Sequence, residues 1–209
     1  ISRVQGVITS KLSLPILSYI LVKSEDQSLN IIATDLEASI LTKIEAQVKT
    51  GGSICLPTKK LTTLIRQMPQ EEIEVRVDEK FKAILRSGSC EFKISGLNPQ
   101  EFPVFPEIKE AEVVLVDGLK IKEMIKLTSF AVSGEETSYV LNGVLVEFEG
   151  RKIKFVATDG RRLSLIEKEL DSKTTFKEKV NFVVAIKTIN ELEKILDEEE
   201  VRICFSENQ

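Results

Sequence analysis

The sequence predicts an α+β protein made of two tandem copies of one domain, in which helices pack on an antiparallel sheet. The first observation is an internal repeat, because a segment that begins at Leu17 matches one that begins at Leu141 without a gap. The second is the pattern within each copy, where short apolar strands and polar turns precede an amphipathic helix. A chain of 209 residues is also long enough for two domains of about 100 residues each.

The repeat is clearest in the triplet Ala-Thr-Asp, which occurs at residues 33–35 and again, in the same register, at residues 157–159. Apolar positions on both sides of the triplet agree as well. With a small shift, the agreement resumes between a block that begins at Leu56 and one that begins at Val184. We therefore expect both copies to have the same fold.

In the first copy, an apolar strand and a polar turn at Glu25 and Asp26 lead into a second strand, as in a β-hairpin. A third strand comes after the triplet and alternates, with Ile40 on one face and Leu41 on the other. After a short fourth strand, Pro57 suits a helix start, and an apolar stripe continues from it at spacings of three and four residues. The stripe consists of Leu61, Leu64, Ile65 and Met68.

The second copy has the same order of elements, with its hairpin turn at Glu149 and Gly150. In the strand after the triplet, Leu163 and Leu165 alternate with Ser164 and Ile166. The helix stripe is formed by Ile189, Leu192, Ile195 and Leu196. Another helix is predicted within residues 118–132, with Leu119, Met124 and Leu127 facing inward.

The domain boundary is predicted after residue 106. A hairpin over residues 82–97 closes the first copy, and the proline-rich, acidic stretch at 98–110 is typical of a linker. The predicted domains are therefore residues 1–106 and 107–209. Because the chain has no initiator Met and the second copy stops before an equivalent hairpin, we expect a fragment.

The composition favours a binding protein over an enzyme. The chain has 30% charged and 42% hydrophobic residues, a balance typical of a soluble globular protein, and no apolar run long enough to span a membrane. It has no histidine, so the commonest general base and metal ligand is missing. Three widely spaced cysteines indicate neither a disulfide framework nor a zinc site and suit a reducing cytosol. We expect no metal, no cofactor and no catalytic residue.

Several segments resemble one known family. "LPILSYILV", "ATDLEASI", "GLNPQEFP", "SYVLNGVLVEFEG" and above all "VATDGRRLSL" are similar to the bacterial DNA sliding clamp, the beta subunit of the DNA polymerase III holoenzyme. The resemblance covers essentially the whole chain. It implies the DNA clamp fold, with most of the first domain except its first strand, most of the second domain without its C-terminal hairpin, and the third domain absent.

The resemblance also implies a function, that of a processivity factor. In the family, three similar domains form each protomer, and two protomers close a ring around duplex DNA, with helices lining the hole. Such a ring slides on DNA without reading its sequence. It tethers the replicative polymerase, the clamp loader and repair polymerases through short linear motifs. The expected location is the bacterial cytoplasm, and the full-length protein is expected to be a homodimer.

Basic residues on the predicted helices are candidates for contact with DNA phosphates. Lys59 and Arg66 are seven residues apart, hence on one helical face, and the repeat carries them to Lys187 and Lys194. Three further lysines, Lys120, Lys122 and Lys126, lie on the additional helix of the second copy. The resemblance adds Lys11 on the loop before "LPIL". The alternative is that these residues belong to ordinary solvated helix faces.

The family's DNA-contacting loop corresponds to residues 133–140, which depart from its pattern. The loop has two glutamates and a single aromatic residue, Tyr139, where polar or basic residues and two aromatics are expected.

The Ala-Thr-Asp turns are predicted to be structural, because the triplet occurs in both copies and such side chains commonly bond backbone donors in turns. The residues directly after the second triplet differ from those after the first. The resemblance implies that they form half of a cleft for partner peptides, the other half belonging to the third domain. The cleft candidates are Leu141, Val144, Thr158, Gly160, Arg161, Arg162 and Leu163. Arg161 stands where the family often has histidine.

Two other functions compete with the clamp. One is a small enzyme that uses Asp159 with Arg161 or Arg162, although no second carboxylate or phosphate-binding loop is near in sequence. The other is a β-rich peptide-binding adaptor without a DNA role.

Overall fold

The computed structural model describes residues 2–8, 14–69, 72–105, 112–134, 141–170 and 175–205. The chain divides into two compact units, Ile1–Pro106 and Glu107–Gln209. Each unit contains a four-stranded antiparallel sheet followed by a helix, so the predicted α+β class is confirmed. Among the described residues, no helix is long and apolar enough to cross a membrane.

The first unit has two helices and seven strands among its described residues. They are α1 (Ser2–Gln5), β1 (Tyr19–Glu25), β2 (Ser28–Thr34), β3 (Ser39–Glu45), β4 (Gly52–Pro57), α2 (Thr58–Gln67), β5 (Glu74–Val77), β6 (Lys82–Ser87) and β7 (Cys90–Ser95). Short 3₁₀ turns lie at Pro15–Ser18 and Pro99–Glu101. One sheet has the strand order β3-β2-β1-β4, and the other has the order β5-β6-β7.

The second unit repeats this plan. Its elements are β8 (Glu112–Asp117), α3 (Gly118–Thr128), β9 (Gly143–Gly150), β10 (Lys152–Thr158), β11 (Leu163–Glu169), β12 (Phe176–Ala185), α4 (Ile186–Ile195) and β13 (Glu200–Phe205), with a 3₁₀ turn at Ser129–Ala131. The main sheet has the order β11-β10-β9-β12, which matches the first unit strand for strand, and β13 pairs with β8. The sequence repeat is therefore a repeat of topology.

Each main sheet buries one face against its helices, as the alternation along the strands predicts. In the first unit, Ile20, Ala33 and Leu61 belong to one core with 5% exposure or less. In the second unit, Phe148 and Ile153 are fully buried in the corresponding core. Burial of each of the larger side chains, such as Ile20 and Phe148, stabilises the fold by about 1.5–3 kcal/mol.

Helix α3 faces the core differently from the prediction. Its buried side chains include Ile121, Met124 and Ile125, whereas Leu119 and Leu127 are each 46% exposed. The inward orientation predicted for Met124 is confirmed, and that predicted for the two leucines is wrong. Positions 121, 124 and 125 form a stripe at the helical spacing, and the leucines lie outside it.

The stripe predicted for α4 is also wrong at one position. Ile195 is the last residue of the helix and is 37% exposed, while Leu196, just after the helix, is 7% exposed. The chain leaves the helix at this point in an extended conformation, which turns Leu196 inward.

The first part of the predicted linker is packed into the first unit. Phe102 is only 6% exposed and forms a small cluster with Ile32 and Cys55. The side chain of Asn98 accepts a hydrogen bond from the backbone N–H of Gln100 and so begins the 3₁₀ turn.

Candidate functional site

Helix α2 presents its basic residues to solvent. Lys59 and Arg66 are both exposed, while the opposite side of the helix is buried. On that buried side, the hydroxyl of Thr62 donates to the carbonyl of Thr58 and accepts a hydrogen bond from Gln5 Nε2, each at 2.8 Å. The buried side fixes the rotation of the helix about its axis. Lys59 and Arg66 are therefore held on the exposed side.

Lys187 and Lys194 of α4, which correspond to Lys59 and Arg66, differ from each other in exposure. Lys194 is exposed, but its ammonium lies 2.6 Å from a carboxylate oxygen of Glu191, one turn earlier. Lys187 is half-buried near the start of the helix. Only the lysine of this pair is exposed, whereas the Glu191 side chain is 13% exposed, so a phosphate that binds Lys194 has to compete with a partly desolvated carboxylate.

Two of the three candidate lysines on α3 already have carbonyl partners. Lys120 Nζ donates to the backbone carbonyl of Glu169 at 2.9 Å, and Lys122 Nζ donates to that of Leu196 at 2.8 Å. The second bond joins α3 to the residue just after α4, which indicates a structural role for Lys122. Lys126 is exposed. Lys11 and most of the predicted DNA-contacting loop, residues 135–140, lie outside the described residues.

The first Ala-Thr-Asp turn is held by its own side chains. Asp35 Oδ1 accepts hydrogen bonds from the backbone N–H groups of Glu37 and Ala38 at 3.1 and 2.8 Å. The hydroxyl of Thr34 accepts from the N–H of Leu36 and donates to the carbonyl of Ala38, each at 3.0 Å. Leu36 has a φ of 78°, the left-handed region that favours glycine.

The second turn has the same hydrogen bonds at the equivalent atoms. Asp159 Oδ1 accepts from the N–H groups of Arg161 and Arg162 at 3.0 Å each. Thr158 accepts from the N–H of Gly160 at 3.1 Å and donates to the carbonyl of Arg162 at 2.7 Å. Gly160 has a φ of 82°. The triplet is therefore a turn motif of the fold in both units.

The carboxylate of Asp159 is occupied by these bonds. Its second oxygen, Oδ2, accepts a hydrogen bond from Arg162 Nε at 3.1 Å. The backbone N–H groups of Arg162 and Arg161, followed by the Arg162 side chain, hold the pKa of this carboxyl below its usual value. A carboxylate stabilised as an anion in this way is a weak base, which disfavours a role in proton transfer.

Arg162 is the feature that distinguishes the second turn. Besides Asp159, its guanidinium donates to the backbone carbonyl of Phe130 at 2.6 Å, and it lies 5.5 Å from the centre of the Phe130 ring. The neighbouring Ser164 donates to the carbonyl of Leu127 at 2.5 Å. The turn is thus joined to the C-terminal end of α3, and Arg162 is oriented there by three separate contacts.

Exposed apolar side chains follow this arginine in β11 and lie at the C-terminal end of α3. Leu163 is 64% exposed, Phe130 56%, Leu165 54% and Leu127 46%. We call these four side chains, with Gly160, Arg161 and Arg162, the turn surface. Thr158 and Leu141 are half-buried, and Thr158 belongs to the turn itself.

One candidate from the sequence does not fit. Val144 is completely buried in the core of the second unit, so it does not line an open cleft. It lies on the inward face of β9, whose alternation places Leu145 on the other face. In contrast, Phe130, Leu127 and Leu165 were not predicted as site residues. The alternation of Leu165 with Ser164 could have identified Leu165, whereas Phe130 and Leu127 reach the turn through tertiary packing.

Among the described residues, no group of three or more Cys, Asp and Glu side chains could hold a metal ion.

Comparisons with known proteins assign the chain to a family. The family model described as the N-terminal domain of the DNA polymerase III beta subunit matches residues 1–106, and the model of its central domain matches residues 116–209. The chain belongs to the DNA polymerase III beta subunit family. The resemblance stated from the sequence is thereby confirmed, as is the clamp fold.

Individual relatives agree. The chain is 33% identical to the beta sliding clamp of Halalkalibacterium halodurans over 219 aligned positions, which cover 100% of this chain and 58% of that protein. It is 32% identical to the beta sliding clamp of Chlamydia trachomatis, with 95% of this chain and 47% of that protein covered. The crystal structure of a DNA polymerase sliding clamp from Bacillus subtilis aligns with a TM-score of 0.92 at 30% identity, covering 99% of this chain and 56% of that one. The chain thus spans about half the length of these relatives.

Proposed function

We propose that this chain forms the first two domains, residues 1–106 and 107–209, of a processivity clamp that encircles duplex DNA and slides along it. The observation that carries the proposal is the match of its two units, in order, to the N-terminal and central domains of the DNA polymerase III beta subunit. The full-length protein would close the ring as a homodimer. It would act in the bacterial cytoplasm.

The charges on the helices support a DNA-facing role. The chain carries a formal net charge of −4, yet α2 exposes Lys59 and Arg66 on one face without an acidic residue in the helix. Such a local basic face attracts the phosphate backbone while the acidic remainder of the surface repels it. Contacts of this kind carry no sequence information, which suits a protein that must move along any sequence.

We assign the DNA contacts to Lys59, Arg66, Lys187, Lys194 and Lys126, with a smaller contribution from Lys120 and Lys122. The last two already donate to backbone carbonyls, so a phosphate would have to share or replace those bonds. Lys11 remains a candidate by resemblance alone.

The salt dependence of DNA binding tests this assignment. Each phosphate neutralised by a lysine or arginine contributes about 0.9 to the slope of log K against log salt concentration. Replacing Lys59, Arg66, Lys187 and Lys194 together by alanine should therefore lower the magnitude of this slope by about 3–4 in a low-salt titration of duplex DNA.

The control variant removes the same charge elsewhere. Lys43, Lys80, Lys82 and Lys177 are exposed residues of strands and turns, and their replacement by alanine should leave the slope almost unchanged. Equal slopes for the helix variant and the unmodified chain would contradict the DNA role. The alternative, a β-rich adaptor without a DNA role, predicts that outcome.

We further propose that the turn surface, together with Leu141 and Thr158, captures short linear peptides of the replicative polymerase, the clamp loader and repair polymerases. The exposed leucines and Phe130 offer apolar contacts, and the two arginines offer donors for a peptide carboxylate or carbonyl. Gly160 has open space around its Cα, so a peptide backbone can approach it closely. A peptide site gains most of its affinity from a few anchors that become buried on binding, more than from a large contact area.

We propose that the protein is a binding scaffold with no catalytic step and no cofactor. The support lies in Asp159, whose carboxylate is committed to the turn and to Arg162.

A further inference from the structure

The two arginines of the turn surface differ in what their side chains contact. Arg162 Nε donates to Asp159 Oδ2 at 3.1 Å, and Arg162 Nη2 donates to the backbone carbonyl of Phe130 at 2.6 Å. The same guanidinium lies over the Phe130 ring. Two of its three nitrogens and one of its faces are therefore engaged within the protein, and Arg162 mainly holds the turn against the end of α3.

Arg161 is engaged only through its backbone. Its N–H donates to Asp159 Oδ1 at 3.0 Å and so belongs to the turn. Its side chain is exposed, and within the described residues no hydrogen bond or ion pair holds it. The backbone of residue 161 is thus fixed, while a guanidinium with five N–H donors is available to a ligand.

This free guanidinium lies beside the apolar part of the turn surface. Arg161 is two residues before Leu163, which is 64% exposed and begins β11. Leu165 follows on the same face of the strand and is 54% exposed. A peptide whose apolar side chains contact these leucines therefore passes close to Arg161, whose long side chain carries its charge at the far end.

The unpaired charge at this place is positive, although the chain has a formal net charge of −4. The carboxylate of Asp159 is neutralised by Arg162, and that of Glu123, the acidic residue of α3, is bonded to a lysine of β11. Arg161 and Lys126, at the end of α3, are both exposed cations. Charge complementarity at the rim of a site favours a ligand of the opposite sign, here a carboxylate.

The first unit shows that the turn accepts either sign of charge at this position. The repeat places Glu37 where the second unit has Arg161. The N–H of Glu37 donates to Asp35 Oδ1 at 3.1 Å, which is the same bond that Arg161 makes. The turn itself therefore does not require an arginine, and the side chain at this position is available for recognition.

We propose that Arg161 is a specificity-determining residue that pairs with a carboxylate of the bound peptide, so that the turn surface selects linear peptides with an aspartate or glutamate beside their apolar residues. This inference rests on the peptide-binding function proposed above. The apolar side chains supply the contact area, and Arg161 discriminates between peptides. Because an exposed ion pair contributes little by itself, its effect is a selectivity of several-fold and not binding as such.

The test compares three peptides in methyl NMR titrations of this chain. Each peptide has a core of three leucines, flanked on both sides by glutamate, by glutamine or by lysine, so the result does not depend on the direction in which the peptide lies. The shifts of the Leu163 and Leu165 methyl groups give the dissociation constants, also where binding is weak. We expect the glutamate peptide to bind about three- to fivefold more tightly than the glutamine peptide, and the lysine peptide to bind more weakly than both.

Two variants assign the selectivity to one residue. Arg161→Glu gives the second turn the residue that the first turn already has, so the fold should be retained. This variant should bind the lysine peptide about three- to fivefold more tightly than the glutamate peptide, with little change for the glutamine peptide. The matched control is Arg151→Glu, at an exposed arginine before the opposite end of β10, which should keep the order of the unmodified chain.

The outcomes separate this inference from the function on which it rests. Equal binding of the glutamate and glutamine peptides would overturn the inference and leave the peptide-binding function standing. If none of the peptides shifted the methyl groups of Leu163 and Leu165, both would fail. A preference for glutamate that persisted in Arg161→Glu would assign the selectivity to other cations and so exclude the role of Arg161.

Salt gives a second measurement of the same pair. In about 1 M sodium chloride, where the Debye length is about 3 Å, the preference for glutamate over glutamine should fall below about twofold. The glutamine peptide should still bind, because its apolar contacts are not screened. A preference that was unchanged by salt would contradict an exposed ion pair at Arg161.

Duplex DNA is the competing ligand for an exposed arginine in this protein. A short duplex added to the complex with the glutamate peptide distinguishes the two. If the duplex displaced the peptide and itself shifted the Leu163 methyl groups, Arg161 would be a phosphate contact and the proposal would be wrong. We expect the peptide to remain bound.

Discussion

Replacing Gly160 by alanine should destabilise the second unit for a reason that lies entirely in the backbone. The φ of Gly160 is 82°, and a Cβ built on it would meet no other atom within 4 Å. The variant therefore introduces no steric clash with the rest of the protein. The hydrogen bonds of Thr158 and Asp159 hold residue 160 in the left-handed conformation. The change in the free energy of unfolding therefore measures what it costs to place a side chain in that conformation.

Two opposing effects set the magnitude. A residue with a Cβ in the left-handed region costs about 1–2 kcal/mol relative to glycine. Alanine also lowers the conformational entropy of the unfolded chain, which offsets about 0.4–1 kcal/mol of this cost. The difference predicts a loss of about 1 kcal/mol, equivalent to a fall in melting temperature of about 4–8 °C for a unit of this size.

Urea denaturation followed by circular dichroism measures this difference, with a control in the same unit. Gly134 also has open space around it, but its φ lies outside the left-handed region, so Gly134→Ala should stabilise by about 0.4–1 kcal/mol. Gly150, with a φ of 59° and open space, should behave like Gly160. If Gly160→Ala and Gly134→Ala changed stability equally, the reasoning from backbone strain would be refuted.

Three further predictions concern packing and charge. Gly143→Ala should cost more than about 2 kcal/mol in urea denaturation, because a Cβ there would lie 2.5 Å from the carbonyl oxygen of Val184. Met124→Ala should cost about 2–5 kcal/mol, whereas Leu119→Ala, at an exposed position of the same helix, should cost much less. The pKa of Asp159 is lowered in the fold, so its stabilising effect is present above its ordinary pKa of 3.8 and is lost as the pH falls below that value. Urea midpoints measured between about pH 6 and pH 3 should therefore fall less steeply in Asp159→Asn than in the unmodified chain.

The order of elements was predictable because the hydrophobic periodicity and the repeat agree. Ile40 and Leu41 lie on opposite faces of β3, as predicted, with Ile40 half-buried and Leu41 exposed, and Ile166 and Leu165 of β11 lie on opposite faces in the same way. Because the hydrophobic pattern occurs in both copies, each copy tests the assignment made for the other. Agreement between them removed the ambiguity that a single short apolar run has.

The side of helix α3 that packs against the core was not predictable in the same way. This helix has apolar residues on most of its circumference, so more than one stripe with helical spacing can be drawn through it. The leucines at 119 and 127 and the stripe through Ile121 and Ile125 both satisfy the pattern. Only packing against the sheet selects one of them, and that choice depends on residues far away in sequence.

The site was predictable where its geometry is local. The hydrogen bonds of Thr158 and Asp159 span at most four residues, and the repeated triplet identified them as a turn. The contact of Arg162 with Phe130 joins residues 32 positions apart, and no pattern in the sequence indicates it. Val144 was misplaced for a different reason: it was proposed from the resemblance alone, and the alternation along β9 turns its side chain into the core.

The two turns show how one fold element can present different side chains in its two copies. Their hydrogen bonds come from the Thr and Asp side chains and from backbone N–H groups, so the side chains at the next positions are not needed to hold the turn. In the first copy those positions carry Glu37 and Ala38, and in the second they carry Arg161 and Arg162. The change replaces one acidic side chain by two basic ones without altering the backbone. Because Arg162 is then oriented by a carbonyl and a ring at the end of α3, the second turn gains a fixed cation beside exposed apolar side chains, which the first turn cannot offer.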